Sequence, residues 1–170
     1  SEQISRAGKE ASGTSNMKFM MNGAVTLGTL DGANVEISNF VGEDNTVIFG
    51  MREEEVKAIK FNGTYNPFDI YNSDPQIKAV MDSLLDGTFS SDHEQFRMIF
   101  DEIMYRNDEF MVLKDLESYL QGCKKIETDY LNRDKWGREC LVNIACSGWF
   151  SSDRTIAEYN RDIWHLKKIH

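Results

Sequence analysis

The sequence predicts an α/β fold, with short parallel strands gathered in residues 1–50 and a mainly helical part over 51–170. Three observations carry this. The only strong strand signals, "VTLGTL" at 25–30 and "TVIFG" at 46–50, are short apolar runs bounded by Gly, Asn and Asp. Between them "GANVEISNFVG" has the apolar spacing of a helix, so the unit reads β-α-β, and strands joined by a helical crossover pair in parallel. From residue 51 onward strand signals cease and helical ones follow one another to the end.

Taken in order, Thr14 or Ser15 is expected to cap a helix that starts in "GTSNMKFMMNG", with Gly13 supplying the turn before it. "REEEVKAIK" reads as a short charged helix, and "FNGTYNPFDIYNS" as turn-rich. In "DPQIKAVMDSLLDG" Asp74 is the expected N-cap, Pro75 the first helical residue and Gly87 the stop. Ser91 and Glu94 have capping-box spacing ahead of "QFRMIFDEIMY", where Phe96, Ile99, Phe100 and Ile103 repeat at helical intervals. Three further helices follow, in "LKDLESYLQGCKKIETDYL", "RDKWGRECLVNIACSG" and, capped by Ser151 or Ser152, "DRTIAEYNRDIWHL". Two strands are too few for a stable sheet, and "SEQISRAGKE" reads like the interior of a protein, so the chain is expected to be one segment of a larger one.

Composition removes several classes of function. With 28 acidic against 19 basic residues and a net charge of −9, no basic face is available for nucleic acid or an anionic membrane. No apolar run approaches the roughly 20 residues of a membrane span. Cys123, Cys140 and Cys146 lack metal-site spacing, and reduced thiols in the cytoplasm are the simplest account. His93, His165 and His170 have no partner at metal or catalytic spacing, and Trp136, Trp149 and Trp164 are read as anchors of helix packing, Trp164 alternatively as cover for a neighbouring domain.

One stretch carries chemistry. In "EASGTSNMKFMMNG" Lys18 lies among Met17, Phe19, Met20 and Met21, where its ammonium form would be poorly solvated and its pKa lowered. A neutral amine is the nucleophile that condenses with an aldehyde, and the free amides of the preceding helix turn make an anion site. Together they suit an aldehyde-bearing phosphate ester, of which pyridoxal phosphate is one. On spacing alone, a snorkelling surface lysine after an ordinary cap is the more usual account of the pattern. Asp31, Gly32 and Asn34 in "TLDGANVEI" read as a structural turn before a ligand turn, and Glu53, Glu54 and Glu55 as a solvated face.

The segment "EASGTSNMKFMMNGAVTLGTLDGANVEI" resembles the cofactor-attachment region of the α-glucan phosphorylases, and "SGWFSSDRTIAEYNRDIW" resembles a segment near that family's C-terminus. The resemblance covers essentially the whole chain. It implies a C-terminal part of a Rossmann-like lobe of the GT-B glycosyltransferase type, and a cytoplasmic, homodimeric parent enzyme. That enzyme would carry out phosphorolysis of terminal α-1,4-glucosidic bonds, giving α-glucose 1-phosphate. Lys18 would hold pyridoxal 5′-phosphate, whose phosphate relays a proton to or from the substrate phosphate. The amides of Thr14 and Ser15 would face the cofactor phosphate, Ser15 standing where many relatives have Gly. Glu10 would bond a hydroxyl of the transferred glucosyl unit, with Ser12 and Gly13 giving amides to the same sugar. Arg6 and Lys9 receive no role and read as surface charges.

The basic residues that grip substrate phosphate match nothing here, so the isolated segment is expected to be inactive, and an open strand edge would favour its self-association. A non-catalytic sugar-binding module and a nucleotide binder are the alternatives. The second lacks GxGxxG with a downstream ribose-binding acid.

Overall fold

The structure, a computed structural model, describes residues 1–10 and 12–167. Strands β1 (Glu2–Gln3), β2 (Leu27–Thr29) and β3 (Val47–Phe49) form one parallel sheet in that order. The helices are α1 (Ser15–Met21), α2 (Ala33–Val41), α3 (Glu53–Asn62), α4 (Pro67–Ser73), α5 (Pro75–Ser83), α6 (Arg97–Met104), α7 (Val112–Leu131), α8 (Arg133–Cys146) and α9 (Ser152–Tyr159). The expected β-α-β unit is present, with Leu27, Gly28 and Thr29 registered on Val47, Ile48 and Phe49. β1 is an addition to the sequence reading. Two residues carry no periodicity, and they form a strand because Glu2 and Gln3 register on Leu27 and Gly28.

Most of the helices lie outside the strand-bearing region in sequence, yet they close over it. Leu27, Val47 and Phe49 are buried against Tyr119, Cys123 and Ile126 of α7. The contact is close because α7 carries Gly122 there: a Cβ at that position would stand 2.7 Å from Leu27 Cδ1. Met20 of α1 packs with Ile37 and Val41 of α2, and Val142 and Cys146 of α8 cover them. A second core of Ile77, Met81, Met104 and Leu113 joins α5 and α6 to the start of α7.

Local capping explains where the helical reading succeeds and fails. Asp74 accepts from the Gln76 and Ile77 amides at 2.8 and 3.2 Å, as expected for an N-cap before Pro75. The helix nevertheless ends at Ser83, ahead of Gly87. The stretch read as turns contains α4, because Asn66 caps it by accepting from Phe68 N–H at 3.1 Å and Pro67 opens it. The capping box at Ser91 and Glu94 does not form: α6 begins at Arg97, and Glu94 pairs with the Arg97 guanidinium. Phe100 and Ile103 reach the second core, whereas Ile99 is exposed and Phe96 packs edge-on to Phe89. Ser151 caps α9, which passes into a π turn over Asn160–Trp164. Trp149 packs at a tilt on Phe40, while Trp136 and Trp164 meet Tyr130 and Tyr159 edge-on.

Candidate functional site

The turn after β2 organises the segment between β1 and α1. Asp31 is buried, and its carboxylate accepts from the Glu10 amide at 2.8 Å, the Gly8 and Lys9 amides at 3.1 Å each and the Ser5 hydroxyl at 2.7 Å. Burial by itself would push this carboxyl up, but the bonds from Glu10, Ser5, Gly8 and Lys9 outweigh it and its pKa lies below the usual carboxylate range. The acid is therefore a charged staple for the loop that carries Glu10.

The next residues grip the other arm of the loop. Gly32 has φ +51, and a Cβ there would lie 2.6 Å from Ser12 O and 2.7 Å from Glu10 Cγ. The Ala33 amide donates to Ser12 O at 2.7 Å. Asn34 Nδ2 donates to Thr29 O at 3.0 Å and Gln3 O at 3.2 Å, while its Oδ1 accepts from Asn16 Nδ2 at 2.9 Å. Asp31 through Asn34 thus fix β1, Glu10, Ser12 and the first turn of α1 in one frame. The structural role expected of this turn is the one it has.

Glu10, Gly13, Ser15 and Asn16 line one small cleft of about 150 Å³, with Gln3 and Asn34 at its wall. Gly13 has φ +88, which makes the bend ahead of α1. Thr14 takes the N-cap position without a side-chain bond, and Ser15 Oγ instead donates to Gln3 Oε1 at 3.1 Å. Among the described residues the amides of Gly13, Thr14 and Ser15 have no protein acceptor. Ser12 and Thr14 are exposed beside the cleft. Ala11, inside the motif, and His170 lie outside the described residues.

Two expectations are corrected. Lys18 is exposed, so this chain does not desolvate its amine. The reason is helical periodicity: Asn16 and Met20, four residues apart, share the buried face of α1, and Lys18 between them points away. Phe19 and Met21 are half-exposed or more, leaving Met20 as the buried member of the three apolar residues that follow Lys18. The amine makes no ion pair or hydrogen bond among the described residues. Arg6, read as a surface charge, is buried instead. Lys9 is exposed and lies 3.7 Å from Glu109.

The residues that sequence reasoning missed are Asn16 and Arg6. Asn16 stands inside the quoted lysine motif but its bonding has no local signature, since its partner Asn34 is 18 residues away. Among the described residues no helix is long and apolar enough to cross a membrane, and no three His, Cys, Asp or Glu side chains gather as metal ligands.

Comparison with known sequences assigns the family of this parallel α/β core with its braced acidic loop and exposed lysine. The profile of the family described as carbohydrate phosphorylase matches residues 1–166, and the chain belongs to that family. Glycogen phosphorylase of Bacillus subtilis (strain 168) is 52% identical over 169 residues, which is 99% of this chain and 21% of that protein. The brain form of glycogen phosphorylase from Mus musculus is 48% identical over 98% of this chain and 20% of its own length. Glycogen phosphorylase of Haemophilus influenzae is 46% identical over 99% of this chain and 20% of its own length. The chain therefore spans about one fifth of the length of the curated relatives it matches.

Proposed function

We propose that this chain is the C-terminal, cofactor-bearing segment of an α-glucan phosphorylase, part of a Rossmann-like lobe of the GT-B type, with residues 1–50 as its cofactor-binding part. The observation that carries the reading is the single frame set by Asp31 to Asn34, which presents Glu10, Gly13 and Ser15 to one cleft and starts the helix bearing Lys18.

The residues suit pyridoxal 5′-phosphate. Lys18 offers an amine uncommitted to any described partner, and a cofactor seated against the exposed face of α1 would supply the desolvation that the chain lacks. The Thr14 and Ser15 amides, free of acceptors among the described residues, are donors for its phosphate. When bound, that group supplies a phosphate able to exchange a proton with the substrate phosphate. Glu10, its amide fixed by Asp31, would accept from a glucosyl hydroxyl, and the Ser12 and Gly13 amides would donate to the same sugar.

The reaction we propose for the parent is phosphorolysis of a terminal α-1,4-glucosidic bond of a glucan, in a cytoplasmic homodimer. The chain by itself is expected to be inactive and, with β1 at an edge of the sheet, to self-associate at high concentration. The test is borohydride reduction in the presence of pyridoxal phosphate followed by peptide mapping of the parent protein. Label on the Lys18 peptide is expected. Label elsewhere, or none, would remove the cofactor assignment.

A further inference from the structure

Helix α1 has seven residues, too few to hold its place unaided, and two buried side chains seat it: Met20, in the core with Ile37 and Val41, and Asn16. The two contacts differ in kind. Packing at Met20 is non-directional and tolerates rotation of the helix, whereas a hydrogen bond fixes both a distance and an angle. Asn16 is 3% exposed; its Nδ2 donates to Asn34 Oδ1 at 2.9 Å and its Oδ1 accepts from the Met17 amide at 3.0 Å. Asn34 is held in turn, because its Nδ2 donates to Thr29 O of β2 at 3.0 Å and to Gln3 O of β1 at 3.2 Å. Gly28 makes the room for this: a Cβ there would stand 2.7 Å from both Asn34 Nδ2 and Gln3 O. The other polar link from α1 to the sheet, Ser15 to Gln3, joins two side chains at the surface.

Lys18 stands between the two anchors on the exposed face of the same helix. Rotation of α1 about its axis would swing the amine sideways relative to Glu10 and Gly13, and a reacting group displaced by even about 1 Å loses much of its reactivity. We propose that Asn16 is a positioning residue for the Lys18 amine: its bond to Asn34 sets the rotation of α1 on the sheet, and with it the place from which the lysine meets an aldehyde-bearing phosphate ester. This assignment rests on the reading of Lys18 as the cofactor lysine. Asn16 acts through the helix and needs no contact with the reacting atoms.

The test titrates the intact parent, freed of cofactor, with pyridoxal phosphate, and fixes the product with borohydride to count label on the Lys18 peptide. Asn16→Ala is expected to weaken binding about tenfold or more. Ile37→Val, which loosens the Met20 core without touching the bond, should lower the thermal midpoint yet bind within about twofold of wild type. In Asn16→Asp the introduced carboxyl still accepts from the Met17 amide but can donate to Asn34 Oδ1 only when protonated. Its deficit against wild type should therefore shrink as pH falls, while that of Asn16→Ala stays constant. Glu10, the one ionisable side chain lining the cleft, is common to all the variants and drops out of the comparison. Asn16→Ala binding like wild type overturns the proposal, and so does a pH-independent deficit in Asn16→Asp. An equal loss in Ile37→Val also overturns it, by making stability alone the cause. Should Asn16→Asp not accumulate, the other two variants decide. Absence of Lys18 label in the unsubstituted parent sinks the cofactor reading and this inference with it, whereas normal label there beside unaltered variants sinks the inference alone.

Discussion

The carboxylate of Asp31 accepts the main-chain N–H of Glu10 at 2.8 Å, so an acid in the turn after β2 positions an acid 21 residues earlier in the chain. Asp31→Asn keeps the shape but removes the charge and turns one acceptor into a donor facing N–H groups. A loss of about 1–3 kcal/mol is expected in urea unfolding at neutral pH. Because the folded pKa of Asp31 is lowered, its contribution is present above the unfolded carboxylate range and lost as pH falls through the folded value. The gap between wild type and variant should therefore close below about pH 4. Equal midpoints at pH 7 would show that the staple is not load-carrying.

Gly32→Ala is expected to disturb the same frame from the backbone. Gly32 has φ +51 and ψ −139, a region reserved for glycine, and its Cβ would enter the Ser12 carbonyl and Glu10 side chain. The cost should be at least about 1–3 kcal/mol. Gly63→Ala is the comparison, since Gly63 has φ +61 with open space around its Cβ and should lose only about 1 kcal/mol. Equal losses at the two glycines would mean that conformation alone, without the contact to Ser12 and Glu10, sets the cost.

Lys18→Arg separates attachment from folding. The side chain is exposed and unpaired among the described residues, so stability should change by no more than about 0.5 kcal/mol. Borohydride labelling of that peptide should vanish, because a guanidinium is not a nucleophilic amine. Circular dichroism and mass mapping on the same samples check both halves.

Glu139 gives a pH effect of the opposite sign. It is buried in α8, neither oxygen has a hydrogen-bond partner, and Lys135 approaches only to 3.5 Å. Burial pushes its pKa up, and the negative charge of Asp129 adds to this. A carboxyl with a raised folded pKa costs stability as pH rises from the unfolded carboxylate range through that raised value. Glu139→Gln should thus be more stable than wild type at about pH 8 and indistinguishable near pH 4. A variant less stable at pH 8 would show that the Lys135 contact outweighs burial.

Much of this architecture is legible without coordinates, and the places where legibility ends share a cause. Asp74 and Pro75 announce α5 because a cap and its amides lie within three residues of one another. Ser91 and Glu94 have the same kind of spacing yet form no box, because Glu94 finds Arg97 and the preceding turn is held by Asp92 and Ser90. The site divides in the same way. Gly13 and its bend are local, as is the spacing from Thr14 to Lys18, whereas the bond from Asp31 to Glu10 and that from Asn34 to Asn16 close loops of 21 and 18 residues.

By itself the sequence determined the α/β class, two of the three strands, most helices and, through its long lysine motif, the phosphorylase family. Only the tertiary structure decided that Glu2 and Gln3 form a strand, that Asp31 staples the Glu10 loop, that Lys18 faces solvent and that Arg6 does not. The physical reason is range: periodicity and capping are set by neighbours a turn away, but pairing, burial and charge compensation depend on residues the chain brings together only when it folds.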